Sequence, residues 1–130
     1  MVTLRLARYP HHHHTTRSAI VDDLLELAEQ GQVEAVRAII DMLTDLHQSG
    51  LECRFLKKMR GVLWELKTRA RGGEKGGARV YLFWLGQAEV AVLHAEVKEG
   101  DAASVQVLNA CAEFYMAHRA GQAIFEGDSL

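Results

Sequence analysis

The chain predicts an α+β domain in the order β-α-α-β-β-β-α, an antiparallel sheet with an N-terminal helical hairpin and a C-terminal helix. Three observations carry this. Between Val62 and Lys98, runs rich in Val, Leu, Tyr, Phe and Trp are separated by glycine-bearing breaks, Gly72 to Gly77 and Gly86-Gln87, as in a meander of strands. Two stretches of helical periodicity precede the meander and nearly touch at Gly31. A third follows it, so helices cluster and strands cluster instead of alternating.

Val2 to Tyr9 alternates Val2, Leu4 and Leu6 against Thr3, Arg5 and Ala7, which reads as a first strand closed by Pro10. His11 to His14 follow. Consecutive imidazoles point in different directions and have no Cys, Asp or Glu at ligand spacing, so a polar loop is the reading and no metal site is expected. Thr16 or Ser18 can cap a helix running to Glu29, with Ile20, Leu24, Leu27 and Ala28 on one side and Gly31 past its end. A second helix, Gln32 to Gln48, carries the stripe Val33, Val36, Ile39, Ile40, Leu43 and Leu46 and stops at Gly50. Asp22, Asp23, Glu26, Glu29, Glu34, Asp41 and Asp45 give this hairpin an acidic exterior, and His47 suits the negative end of the second helix.

Along Val62 to Arg71 the residues alternate again. Val62, Trp64, Leu66, Thr68 and Ala70 belong to a core face, while Leu63, Glu65, Lys67, Arg69 and Arg71 set three cations in a row on the other. After the meander Asp101 can cap a last helix from about Ala102 to Arg119, with Val105, Leu108, Cys111, Ala112 and Tyr115 on one side. Residues 1–121 form one domain, and 122–130 read as a frayed tail.

Composition narrows the function classes. No apolar run approaches the roughly 20 residues of a membrane span, and the N-terminus lacks a signal-peptide core. Two cysteines, Cys53 and Cys111, make no disulfide framework, which fits free thiols in the cytoplasm. Charge is strongly segregated. From Arg54 to Arg79 nine cations face only Glu65 and Glu74, a net of +7, which leaves −9 for the rest of a chain whose formal charge is −2. A basic segment of this kind suits a polyanion, although exposed strands also carry Lys and Arg to block edge pairing.

The meander also resembles a known family. Leu63-Trp64-Glu65-Leu66-Lys67 resembles an L-[YW]-E-L-[RK] strand, Ala78-Arg79-Val80-Tyr81-Leu82-Phe83 a Y-R-V-x-Y-F strand, and Val92-Leu93-His94-Ala95-Glu96-Val97-Lys98 an L-L-H-x-F-x-K-K strand. In this order they resemble the RelE/ParE toxin superfamily, in its HigB-like, phage-derived branch, from Val2 to about Arg119. The resemblance implies the toxin of a type II toxin–antitoxin system: an mRNA endonuclease without metal or cofactor, inhibiting translation within the ribosome. Its implied partners are mRNA, the ribosome and a cognate antitoxin, in a heterocomplex or as a homodimer, with no membrane involved.

In such enzymes the RNA 2′-hydroxyl attacks the adjacent phosphorus. The protein removes that proton, balances phosphorane charge and protonates the leaving 5′-oxygen. Arg79 matches the family's central arginine and is expected to grip the scissile phosphate. Lys67, His94 and Lys98 complete the expected catalytic set. Proton transfer suits His94, or a lysine whose pKa is lowered by cationic neighbours. Lys57, Lys58, Arg60, Arg69, Arg71, Lys75 and Tyr81 are the expected RNA contacts. A two-residue turn at Gly86-Gln87 would set Arg79 opposite His94, and a bulge would undo that pairing. Glu99 stands where the family has a second lysine, and Glu96 where it has a neutral side chain; both would repel phosphate. The alternative is a non-catalytic relative that acts by binding protein, either DNA gyrase or an antitoxin.

Overall fold

The computed structural model describes residues 1–9 and 17–125, so His11 to His14, Pro10 and Thr16 lie outside the described residues. The elements are β1 (Thr3–Leu6), α1 (Ala19–Glu29), α2 (Val33–Ser49), β2 (Leu56–Lys58), β3 (Trp64–Lys67), β4 (Ala78–Trp84), β5 (Glu89–Val97) and α3 (Val105–Arg119). The class is α+β, as expected, with one strand more than the sequence suggested. Among the described residues no helix is long and apolar enough to cross a membrane.

The sheet runs β1-β5-β4-β3-β2. Its β2 to β5 neighbours are antiparallel, but β1 lies parallel to β5, Leu4 opposite Val90 and Leu6 opposite Val92. The sheet is therefore mixed, not wholly antiparallel. The helical hairpin is the crossover that permits the parallel pair, carrying the chain from one sheet edge across a face to β2 at the opposite edge.

Both sheet faces are covered. On one, Leu4, Leu6, Leu66, Val80, Leu82, Val90 and Val92 pack against Ile20, Ile39, Met42, Leu43 and Leu46 of α1 and α2. On the other, Leu63, Tyr81, Phe83, Ala91 and Leu93 pack against Cys111 and Phe114 of α3. The open cationic face expected from alternation is thus replaced by a second core. Sequence parity showed which residues share a face but not that α3 would cover it.

Elements differ from expectation for local reasons. The β3 ladder ends at Lys67 because Thr68 turns inward: its hydroxyl donates to the Ala70 carbonyl at 3.2 Å and accepts from the Ala78 amide at 3.0 Å. Alternation therefore does not continue to Arg69 and Arg71. β2 was missed because three residues leave no readable period. It joins β3 through a turn in which Gly61 takes φ +56°. At α3 the cap is Ser104, whose hydroxyl accepts from the Val107 amide, rather than Asp101. Val105 and Ala112 point outward there, and Phe114 supplies the buried anchor beside Cys111. The segment after α3 does not fray at once: Ile124 is buried and its carbonyl accepts from the Arg8 amide at 2.8 Å.

His47 closes α2 as expected, and its Nδ1 lies 2.7 Å from the Val2 carbonyl, fastening β1 to the hairpin. Cys53 and Cys111 are both buried and free. Burial pushes their thiols up to about 11 and about 12, respectively, so neither is a ready nucleophile.

Leu66 is fully buried between the hairpin and the sheet. Leu66→Ala should cost about 2–5 kcal/mol of unfolding free energy, read from the shift of the urea midpoint at unchanged slope.

Candidate functional site

The register of the meander decides which polar side chains meet. Lys67 lies opposite Arg79, and Glu65 opposite Tyr81. Across β4 and β5, Tyr81 lies opposite His94 and Arg79 opposite Glu96. The expected Arg79–His94 pairing is not formed. The β4–β5 turn is one residue longer than assumed, with the Leu85 amide bonded to the Glu89 carbonyl, and a bulge falls between the Leu82–Val92 and Tyr81–His94 pairs. Together they shift the register by two positions, so Arg79, Tyr81, His94 and Glu96 still share one face.

Much of that face is interior. Arg79 is only 2 % exposed; its Nη1 donates to Glu65 Oε2 at 2.9 Å and its Nη2 to the Gly100 carbonyl at 2.8 Å. The Tyr81 hydroxyl donates to Glu96 Oε2, which also accepts from the Ser104 amide. Burial first, then the Glu96 carboxylate, raises the Tyr81 pKa, leaving a neutral phenol. Lys98 is 7 % exposed, with Nζ 2.6 Å from the Thr68 carbonyl and 3.4 Å from that of Arg69. Its ammonium secures the β3–β4 connection. Neither Arg79 nor Lys98 faces solvent in this arrangement.

His94 belongs to a relay the sequence did not reveal. Its Nδ1 is 2.7 Å from Asp23 Oδ2 on α1, and its Nε2 is 2.6 Å from the Tyr9 hydroxyl. Asp23 Oδ2 also accepts from the Ala95 amide at 2.9 Å. Burial foremost, with the nearby anions adding, pushes the Tyr9 phenol up to about 12. The phenol therefore stays protonated, and the imidazole bridges it to the Asp23 carboxylate. Asp23 is therefore an internal partner, not part of the solvated exterior of the hairpin. Both ring nitrogens are engaged, and the relay ties the segment after β1, α1 and β5 together.

The exposed cations lie beside this interior cluster. Lys57 and Lys58 on β2, Arg60 in the following turn, and Arg69, Arg71 and Lys75 in the β3–β4 connection are all at the surface. Arg54 stacks its guanidinium 4.6 Å from the Phe55 ring centroid. Arg71 is paired with Asp101 at 2.5 Å. Lys67 stands at the boundary between surface and interior, partly exposed, 4.0 Å from Glu65. Desolvation first, then the neighbouring Lys57 ammonium and the Arg79 guanidinium, hold its pKa below the ordinary lysine value, with Glu65 opposing. Of the four expected catalytic residues, it is the one that combines access with a perturbed proton affinity.

A family model described as Phage derived protein Gp49-like (DUF891) matches residues 22–115. The chain belongs to that family. It is a RelE/HigB-type toxin-like family whose members are commonly phage-derived toxins of toxin–antitoxin systems. The matched span of the Gp49-like chain holds most of α1, all of α2, the whole β2–β5 meander and most of α3, including Asp23, Lys67, Arg79 and His94. No curated protein matches the chain.

Sequence reasoning missed Asp23, Tyr9, Glu65 and Gly100 as site partners. Glu65 was legible as an acid inside a cationic row. The others come from α1, the segment after β1 and the β5–α3 connection, which no local spacing links to the meander.

Two outcomes test this geometry. Glu65→Ala leaves the buried Arg79 charge uncompensated and should destabilise the fold by about 3–5 kcal/mol in chemical denaturation. Lys57→Met removes a cationic neighbour of Lys67, so the Lys67 pKa should rise toward its ordinary value. Competitive acylation followed by mass spectrometry should then show Lys67 reacting more slowly at mildly alkaline pH than in the unchanged protein.

Proposed function

We propose that this Gp49-like chain is the toxin of a type II toxin–antitoxin system and cleaves mRNA on the translating ribosome, without a metal. The observation that carries the reading is the exposed cationic edge of β2 and β3 with Lys67 at its inner margin. Lys57, Lys58, Arg60 and Arg69 supply the field that attracts an RNA backbone. Desolvation and the neighbouring Lys57 ammonium lower the Lys67 pKa from its ordinary value, the direction that favours a general base. As the 2′-oxygen forms its bond to phosphorus, its proton passes to the unprotonated form of Lys67. The bond from phosphorus to the 5′-oxygen breaks, and the Lys57 ammonium returns a proton to that oxygen. The flanking guanidinium and ammonium groups offset the charge that accumulates on the phosphorane.

A second reading is favoured by a specific observation: Arg79, His94 and Lys98 are all engaged internally. In that reading the basic edge binds a protein partner and no RNA is cut.

Cell-free bacterial translation with primer extension on the message separates the two. The unchanged chain should produce cuts at discrete positions that appear only during translation. Lys67→Ala should weaken them by about 10²–10⁴-fold, the usual worth of a positioned general base, while leaving the circular dichroism spectrum intact. An uncut message with the unchanged chain would overturn the endonuclease reading in favour of protein binding.

A further inference from the structure

The connection between β5 and α3, Glu99 to Ser104, crosses directly over Arg79. Its Gly100 carbonyl accepts the Nη2 hydrogen bond, and the Ser104 amide is fastened to Glu96. Midway along it, Asp101 is paired with Arg71, the two side chains being 83 % and 58 % exposed. Glu99, Asp101 and Ala102 are all at the surface, and a Cβ placed on Gly100 would meet nothing within 4 Å. The strap thus buries little apolar surface and is secured by polar contacts, the composition of a segment that opens at low free-energy cost. By contrast, its two ends are firm. The Lys98 amide bonds to the Gly77 carbonyl and the Ser104 hydroxyl caps α3.

What lies beneath is the only cation among the described residues that is both buried and directly opposite Lys67. We propose that this strap is a lid over a phosphate site made by Arg79 and Lys67, latched by the Arg71–Asp101 pair. When the strap lifts, the Gly100 carbonyl leaves Nη2, and that edge of the guanidinium is open to a phosphodiester oxygen. Nη1 stays on Glu65, which holds the guanidinium plane in place for its new partner. The closed lid is a resting state, and the RNA backbone is the ligand that favours the open one. It does so because only the open state adds the Arg79 guanidinium to the lysines that the phosphate already meets at the surface. The inference rests on the RNA-directed reading above and adds regulation of the same site.

The test uses the whole chain and an arginine-selective dicarbonyl reagent, with Arg79 modification followed by peptide mass spectrometry. Asp101→Ala should label Arg79 about two- to fivefold faster, the range an exposed ion pair contributes to a local opening equilibrium. Saturating short single-stranded RNA should then suppress that labelling. Glu99→Gln, which removes a strap charge outside the latch, should leave the labelling rate unchanged. Thermal unfolding of each variant checks that the fold is retained. Equal labelling of the unchanged chain and Asp101→Ala would overturn the lid, as would equal acceleration by Glu99→Gln. Faster labelling that RNA fails to suppress would overturn the phosphate site. RNA protection of Arg79 in a chain that leaves translated messages uncut would uphold the lid and reject the endonuclease reading instead.

Discussion

The buried pair between Glu65 and Arg79 sets the terms for the rest of this molecule. A guanidinium that is 2 % exposed cannot stand without compensation, and the carboxylate at 2.9 Å supplies it. To meet, the two residues must come from adjacent strands in one register, with Lys67 opposite Arg79 and Glu65 opposite Tyr81. A one-residue slip would send one of them into the apolar side beneath α1 and α2, where no partner waits. The second guanidinium arm then needs an acceptor, and the Gly100 carbonyl fills that need. Strand register, burial of the cluster and the path of the β5–α3 connection are thus satisfied together.

The same face shows how a polar interior is kept viable. Each group has a partner drawn from a different element: Tyr81 with Glu96, Glu96 with the Ser104 amide, His94 with both Asp23 and Tyr9, and Lys98 with the Thr68 carbonyl. Such a network specifies one arrangement of sheet, α1 and α3, because each hydrogen bond is lost if one layer shifts. It also explains the division of labour among the cations. Those within the network hold the scaffold, whereas Lys57, Lys58, Arg60 and Arg69 remain at the surface. Lys67 stands where the two sets meet.

Close packing behind the strap has a glycine requirement. A Cβ on Gly77 would lie 2.6 Å from the Lys98 carbonyl oxygen and 2.7 Å from the Gly72 nitrogen, so the start of β4 tolerates no side chain there. The glycine-rich break that marks the meander in the sequence is thus more than a turn. It lets the β3–β4 connection lie against the end of β5, where Gly72 and Gly77 both exchange backbone hydrogen bonds with Lys98.

The α+β class, the helical hairpin, the main strands of the meander, the free cysteines and the segregation of cationic charge were all legible in the amino-acid order. Each of these is local, written in periodicity, glycine placement or composition over a few residues. Also legible was the face shared by Arg79, Tyr81, His94 and Glu96, because parity survives a register shift of two. That Arg79 faces Glu96 rather than His94 comes from the packed fold, since the turn length and the bulge depend on how β4 and β5 pack between two layers. The same packing sets α3 over the face expected to be open and β1 parallel to β5. The partners of His94 and the Gly100 carbonyl that holds Arg79 come from α1, the segment after β1 and the strap, each more than 20 residues away. Contacts of that range are fixed by the packing of layers, which no short window of sequence encodes.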